Sequence, residues 1–182
     1  MAKAADRRKV LAVLAGGLVL GVGAAVTLAA WNDSEFAGGD FAAGEFVFQG
    51  STDGTTYEEH PSSDGAAELA FEVGADNLAP GDVVYAGYAL STEGSSYNAT
   101  LEAVAPVDAT GTLVADGDLT FAAVATDTFG CDEASFAGGA TVPTTIAPDT
   151  PVNLCLQVTA TDSLTQGETG TVMWQWNATS VE

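Results

Sequence analysis

Outside its carboxylates, the chain offers few side chains for chemistry. Its 182 residues include one histidine, His60, two cysteines, Cys131 and Cys155, and 25 acids against four basic residues. His60 stands in TTYEEHPSSDG, beside Glu58 and Glu59. A zinc peptidase of the H-E-x-x-H type needs two histidines on one helix face with a glutamate between them, and a single histidine cannot supply them. Glu58, Glu59 and His60 amount to a sparse carboxylate-rich metal set at most, and a solvated loop accounts for the same residues. No G-x-S-x-G surrounds a serine that the histidine might activate. Two facing carboxylates would suit glycoside hydrolysis, but nothing in the spacing selects a pair. Neither STDGTTYEEH nor ADGDLT has the D-x-[DN]-x-[DN]-G-x5-E spacing of an EF-hand loop. The sequence therefore designates no catalytic residue, no metal ligands and no cofactor, and the expectation is a protein that is not an enzyme.

The distribution of charge is more informative. All four basic residues, Lys3, Arg7, Arg8 and Lys9, precede an apolar run over 10–30. A basic end, an apolar core and the small residues Ala29 and Ala30 form the layout of an export signal, with cleavage expected between Ala30 and Trp31. The run is also long enough to serve as a retained anchor, although its glycines and alanines make it a weak one. Residues 31–182 hold 24 of the 25 acids and neither lysine nor arginine, a formal charge of −24. Phosphate binding needs cations, so nucleic acid is excluded as a partner, and an anionic membrane surface is disfavoured once the signal is gone. Expected partners are signal peptidase during export, then further copies of the chain or matrix proteins, at a secreted, extracellular or cell-surface location.

Export places Cys131 and Cys155 where disulfides persist. A bridge between them closes a loop worth roughly 3–3.5 kcal/mol on the chain-entropy model. The alternatives, a metal pair or a nucleophilic thiol, lack partners nearby in the sequence.

The elements that must position these residues read as strands. Valine, leucine and aromatic residues recur in regular blocks, so the acidic chain is not disordered in character, and about 150 residues make one domain. AELAFEV alternates Leu69, Phe71 and Val73 with Glu68 and Glu72, as a half-buried strand does. NLAPGD turns the chain into VVYAGYAL, and STEGSS turns it into YNATLEAV, a pair that reads as a hairpin. GTLVA and LTFAAVA read as a second hairpin around the DGD of residues 116–118. VNLCLQVTA sends Val152, Leu154, Leu156 and Val158 inward and Cys155 to the opposite face. TVMWQWNAT lines Val172, Trp174, Trp176 and Ala178 along one face, a stripe that reads as core, or else as a binding patch. No helix of ordinary length is expected after residue 31. The fold class expected is all-β, an antiparallel β-sandwich, jelly-roll-like, preceded by an N-terminal signal helix. The divisions are a signal over 1–30, an N-terminal extension or donor strand over 31–48 and a β-sandwich domain over 49–182.

The junction LAAWNDSEFAGGDFAAGEF, the turn and strands NLAPGDVVYAGYALSTEGSSYNATLEAV and, faintly, TVMWQWNAT resemble the TasA/camelysin family, whose members are exported with a SipW-type signal peptide. The resemblance covers about half the chain, and the export junction is its more specific part. It implies a jelly-roll subunit at the cell surface, of the kind that builds biofilm-matrix fibres when a segment freed by signal cleavage completes a neighbour's sheet. Carried onto this sequence, the donor is Trp31 to about Phe48, with Trp31, Phe36, Phe41, Phe46 and Phe48 as its contact residues. The chain departs from the family in being shorter, in lacking lysine after the signal and in its two cysteines.

Apart from any resemblance, an extended donor adds main-chain hydrogen bonds to an open sheet edge while its side chains fill pockets. The five-residue spacing of Phe36, Phe41 and Phe46 does not match a regular strand face, and bulges at Gly38, Gly39 and Gly44 can restore it. An edge strand within the same subunit and a solvated linker remain as alternatives. The two functional expectations are a self-associating surface or matrix subunit joined by strand addition, and a monomeric exported module that binds a carbohydrate or protein.

Overall fold

The computed structural model describes residues 2–27, 34–40, 45–71 and 74–181, in two compact units, Met1–Phe41 and Ala42–Glu182. The first unit contains helix α1 (Ala2–Thr27), on which the side chains of Val10, Leu11, Val13, Leu14 and Leu18 are exposed. Among the described residues, no helix is long and apolar enough to cross a membrane. Residues 34–40 form no regular structure, and Phe36 is 92% exposed.

The second unit is built from β1 (Val47–Ser51), β2 (Val83–Glu93), β3 (Ala99–Thr110), β4 (Leu119–Thr126), β5 (Thr145–Ile146), β6 (Val152–Ala160) and β7 (Thr171–Ser180). They form two antiparallel sheets, ordered β1-β2-β6-β4 and β5-β3-β7. Among the described residues of this unit, helix is confined to α2 (Glu133–Gly138) and a 3-10 turn at Ser63–Gly65. The all-β expectation holds at this level.

Both sheets contribute to a common interior. One cluster joins Tyr88 and Leu90 of β2 and Leu154 and Leu156 of β6 to Ala99 and Leu101 of β3 and Ile146 of β5. A second joins Val84, Leu119, Val158 and Ala160 to Leu113, and Trp174 packs against both clusters. The β6 alternation works as the sequence indicates: Leu154, Leu156 and Val158 enter the core, and Cys155 points the other way. At about 25 cal/mol per Å2 of apolar surface, a fully buried leucine contributes roughly 1.5–3 kcal/mol, so the inward row of β6 is a large part of what holds the sheets together.

Cys155 is nonetheless fully buried, because the four-stranded sheet is covered on its outer face too. The segment after β4 folds over that face and carries α2, whose first turn is capped by the Asp132 carboxylate accepting from Ser135 N at 2.7 Å. The Phe136 ring meets Tyr85 at 5.9 Å, and the Phe129 ring occupies the space above Gly87. The Cys131–Cys155 disulfide fastens this cover to the centre of the sheet.

Three local expectations are corrected. Residues 67–71 alternate in burial, with Ala67, Leu69 and Phe71 half-buried and Glu68 and Ala70 exposed, but they join no ladder. Their period reports one-sided burial, which an extended segment lying on a core shows without a paired neighbour; Val73 lies outside the described residues. β2 and β3 are not a hairpin: they belong to different sheets and share only the core cluster that holds Leu90 and Leu101. GTLVA is a turn, since the Asp108 carboxylate accepts from Val114 N and Ala115 N and winds the chain after β3 back on itself.

Replacing both cysteines with alanine is expected to lower stability by roughly 3 kcal/mol in denaturant titrations of the oxidised protein. A second expectation concerns Asp53, which accepts from the backbone N–H groups of Thr56 and Thr55 and from the hydroxyls of Thr56 and Ser51, bonds that hold its carboxyl well below the usual range. A depressed folded-state pKa adds stability at neutral pH that is lost as pH falls through the carboxylate range. The melting temperature of Asp53→Asn should therefore lie below that of the wild type at neutral pH, and the gap should narrow below about pH 4.

Candidate functional site

Sheet edges carry unpaired N–H and C=O groups, and folded proteins blunt them with charge, proline, bulges or covering segments. Three of the four edges here are treated in that way. Outside β1, Gly50 and Glu58 exchange backbone hydrogen bonds at 2.9 and 3.0 Å. Outside β4, Ala125 and Ala140 do the same at 2.8 and 2.9 Å. On the third edge, β5 pairs only with Ala99 and Thr100, so β3 runs on beyond it. That stretch carries a register shift between Val104 and Val107, where Pro106 has no N–H to offer, together with Glu102 and Asp108.

The outer edge of β7 has none of these devices. β7 pairs with β3 alone; among the described residues no backbone–backbone hydrogen bond outside that ladder reaches residues 171–180, and the hydroxyls that do, Thr110 Oγ1 accepting from Thr171 N and Thr100 Oγ1 donating to Thr179 O, also belong to β3. Its sequence, TVMWQWNATS, has neither a charge nor a proline. Uncharged runs at least as long cover 83–92 and 150–161, but those belong to β2 and β6, which are paired on both sides, whereas this one lies on an edge.

The inner face of this strand is well anchored. The Trp176 ring stacks on Tyr88 at 5.2 Å, and Trp174 meets Phe121 edge-on at 5.6 Å and Phe71 at 5.7 Å. Tyr88 in turn lies over Gly50, leaving no room there for a Cβ. Trp174 and Trp176 are thus half-buried and packed against the core, and they anchor the inner face of the strand.

Two of the donor residues are placed differently from the expectation. Phe46 and Phe48 pack against the core of their own domain, and Phe48 lies in β1, in register with Thr92 of β2. Two residues apart on an extended chain, they share a face, and β2 already pairs with their strand. Neither is available to a neighbour, so a donor would have to end before β1. Phe36 is exposed, whereas Ala30, Trp31 and Phe41 lie outside the described residues. Cys131 and Cys155 form the expected disulfide.

Glu58, Glu59 and His60 line an open polar cleft of about 650 Å3 with Asp53 and Thr56. His60 Nδ1 is buried there without a hydrogen-bond partner, but among the described residues these side chains do not converge as a metal-ligand group. The group that does converge is Asp116, Asp118 and Glu168. The sequence does not single it out: ADGDLT reads as a hairpin turn and lacks EF-hand spacing, and Glu168 lies 50 residues beyond Asp118.

No protein-family model matches the chain, and no curated protein matches it.

Because Trp176 is half-buried and stacked on Tyr88, Trp176→Ala is expected to cost roughly 2–3 kcal/mol in urea unfolding, more than a surface substitution on the same strand such as Gln175→Ala, which should stay within about 0.5 kcal/mol.

Proposed function

We propose that this protein is an exported structural subunit of the cell surface or extracellular matrix, TasA/camelysin-like, that associates with copies of itself by strand addition at the outer edge of β7. The observation that carries this reading is the unpaired, uncharged and proline-free edge of β7, the one edge left untreated in a fold that blunts its others. The donor is the segment preceding β1, released by signal cleavage, with exposed Phe36 as one of its pocket-filling side chains.

The finer architecture proposed is a sandwich, jelly-roll-like in its sheet-over-sheet core. With two-residue β5 left out, the strand order β1-β2-β6-β4 over β3-β7 follows the A-B-E-D over C-F path of a Greek-key sandwich. In that path a further strand lies beside the one corresponding to β7, which is where the donor would add.

Inward-facing tryptophans weigh against the alternative of a monomeric module that binds through a Trp174 and Trp176 face. A peptidase role has only His60 and its two glutamates to draw on, and is not proposed.

The secreted chain from residue 31 is compared with a form beginning at Glu45, which keeps Phe46, Phe48 and β1 intact. Concentration-dependent polymers are expected by light scattering for the longer form only, and more readily as pH falls into the carboxylate range or in added salt, where self-repulsion falls. Equal behaviour of the two forms would contradict the proposal.

A further inference from the structure

The turn after β3 and the loop before β7 are held against each other by backbone contact. Gly111 has φ +108°, and a Cβ built on it would lie 2.8 Å from Thr169 O; one built on Gly170 would lie 2.6 Å from Thr110 O. Glycine at both positions lets the two chains touch. Around this contact the turn is wound by Asp108 and by Leu113 O, which accepts from Asp118 N and Leu119 N at 3.0 and 3.2 Å. The facing loop is stitched on by Thr161, whose N–H donates to Asp118 O at 2.8 Å and whose hydroxyl donates to Gly117 O at 2.9 Å.

This arrangement places carboxylate oxygens of Asp116, Asp118 and Glu168 all within 4.8 Å of one another. Asp116 and Glu168 are exposed, whereas Asp118 is only 3% exposed. Asp53, Asp82, Asp108 and Asp132 each accept backbone N–H bonds. The Asp118 carboxylate accepts none from a described residue; the bonds that reach Asp118 from Thr161 end on its backbone carbonyl. Three carboxylates held this close repel one another, and no donor offsets that repulsion at Asp118. Residues 31–182 contain no lysine or arginine that could relieve it.

We propose that Asp116, Asp118 and Glu168 form a calcium site that joins the turn after β3 to the loop leading into β7. Calcium takes six to eight oxygen ligands at about 2.3–2.6 Å, so it accommodates ligand oxygens up to about 5 Å apart, and water completes its shell on the exposed side. Magnesium demands a tighter octahedron, and an all-oxygen set without cysteine or histidine does not favour zinc or copper. The ion enters from the side of exposed Asp116 and Glu168 and meets the carboxylate of the less exposed Asp118. Its binding fixes the start of β7, three residues after Glu168, and it does so in a single chain, independently of any assembly.

The probe is terbium, a calcium substitute, added to the full secreted chain, with Trp174 as sensitiser, since Trp174 packs on the same cluster as Leu113 and Leu119 beside the carboxylates. Measured in about 0.5 M sodium chloride to screen diffuse binding to the acidic surface, luminescence should saturate at one ion per chain and be displaced by calcium at far lower concentration than by magnesium. Calcium should raise the melting temperature by several degrees. Asp118→Asn and Glu168→Gln should each weaken both effects at least about tenfold, and Asp64→Asn, remote and exposed, should change neither. Asp118→Asn removes one of three mutually repelling charges and is expected to fold; Glu168→Gln, at an exposed position, carries the test on its own if it does not. Unsaturable luminescence, or equal binding by the wild type, Glu168→Gln and Asp64→Asn, would show diffuse screening and overturn the site.

Discussion

A domain without a cation must satisfy its carboxylates by other means, and much of this structure follows from that constraint. Residues 31–182 carry 24 acids and neither lysine nor arginine. Among the described residues of the second unit, acids are therefore used as backbone caps. Asp53 holds the turn after β1, Asp82 accepts from Ala79 N at 2.8 Å in the turn before β2, Asp108 winds the turn after β3, and Asp132 starts α2. Each carboxylate stands where backbone N–H groups lack partners, so the charge is stabilised by fixed dipoles rather than by ion pairs. At Asp116 and Asp118 no N–H of a described residue reaches the carboxylate, and Glu168 accepts only from Thr165 N at 3.4 Å, so there the proposed calcium ion takes the place of the dipoles.

The constraint also bears on the sheet edges. Lysine is a common guard of an exposed edge, and this chain has none to place there. Backbone bridges from Glu58 and Ala140 close two edges, and a proline-containing bulge blunts β3. The edge of β7 receives not even an acid, although its inner face is held by two tryptophans. An anchored strand with a bare, uncharged edge is the arrangement that strand addition requires, and it underlies the proposed matrix role.

Legibility of the fold in the sequence depended on what each pattern physically records. Alternation in β6 and β7 records a one-sided core, so the inward rows and the outward Cys155 were readable directly. Alternation over 67–71 records the same burial without pairing, and there it suggested a strand that does not form. The turn after β2 looked like a hairpin because sequence neighbours often pair; here the connection crosses to the other sheet, a tertiary choice that local residue types do not encode, while GTLVA, which reads as a strand beside β4, is itself wound into a turn by Asp108. Phe46 belongs with the upstream phenylalanines by its spacing, and Phe48 joined them only through the donor range that the resemblance implies, yet both pack on the core of their own domain, where β2 pairs with β1. The carboxylate trio was illegible because it depends on two glycines, Gly111 and Gly170, bringing together loops that lie far apart in the sequence.

The central claim is that the outer edge of β7 is where one copy joins another. Amide hydrogen exchange over residues 171–180, compared between the dilute monomer and the assembled form of the same secreted chain, tests it directly. The account predicts that amides in this strand that exchange quickly in the monomer become protected on assembly, while β6, already paired on both sides, changes little. Unchanged exchange throughout β7 in an assembled sample, with new protection elsewhere, would contradict it.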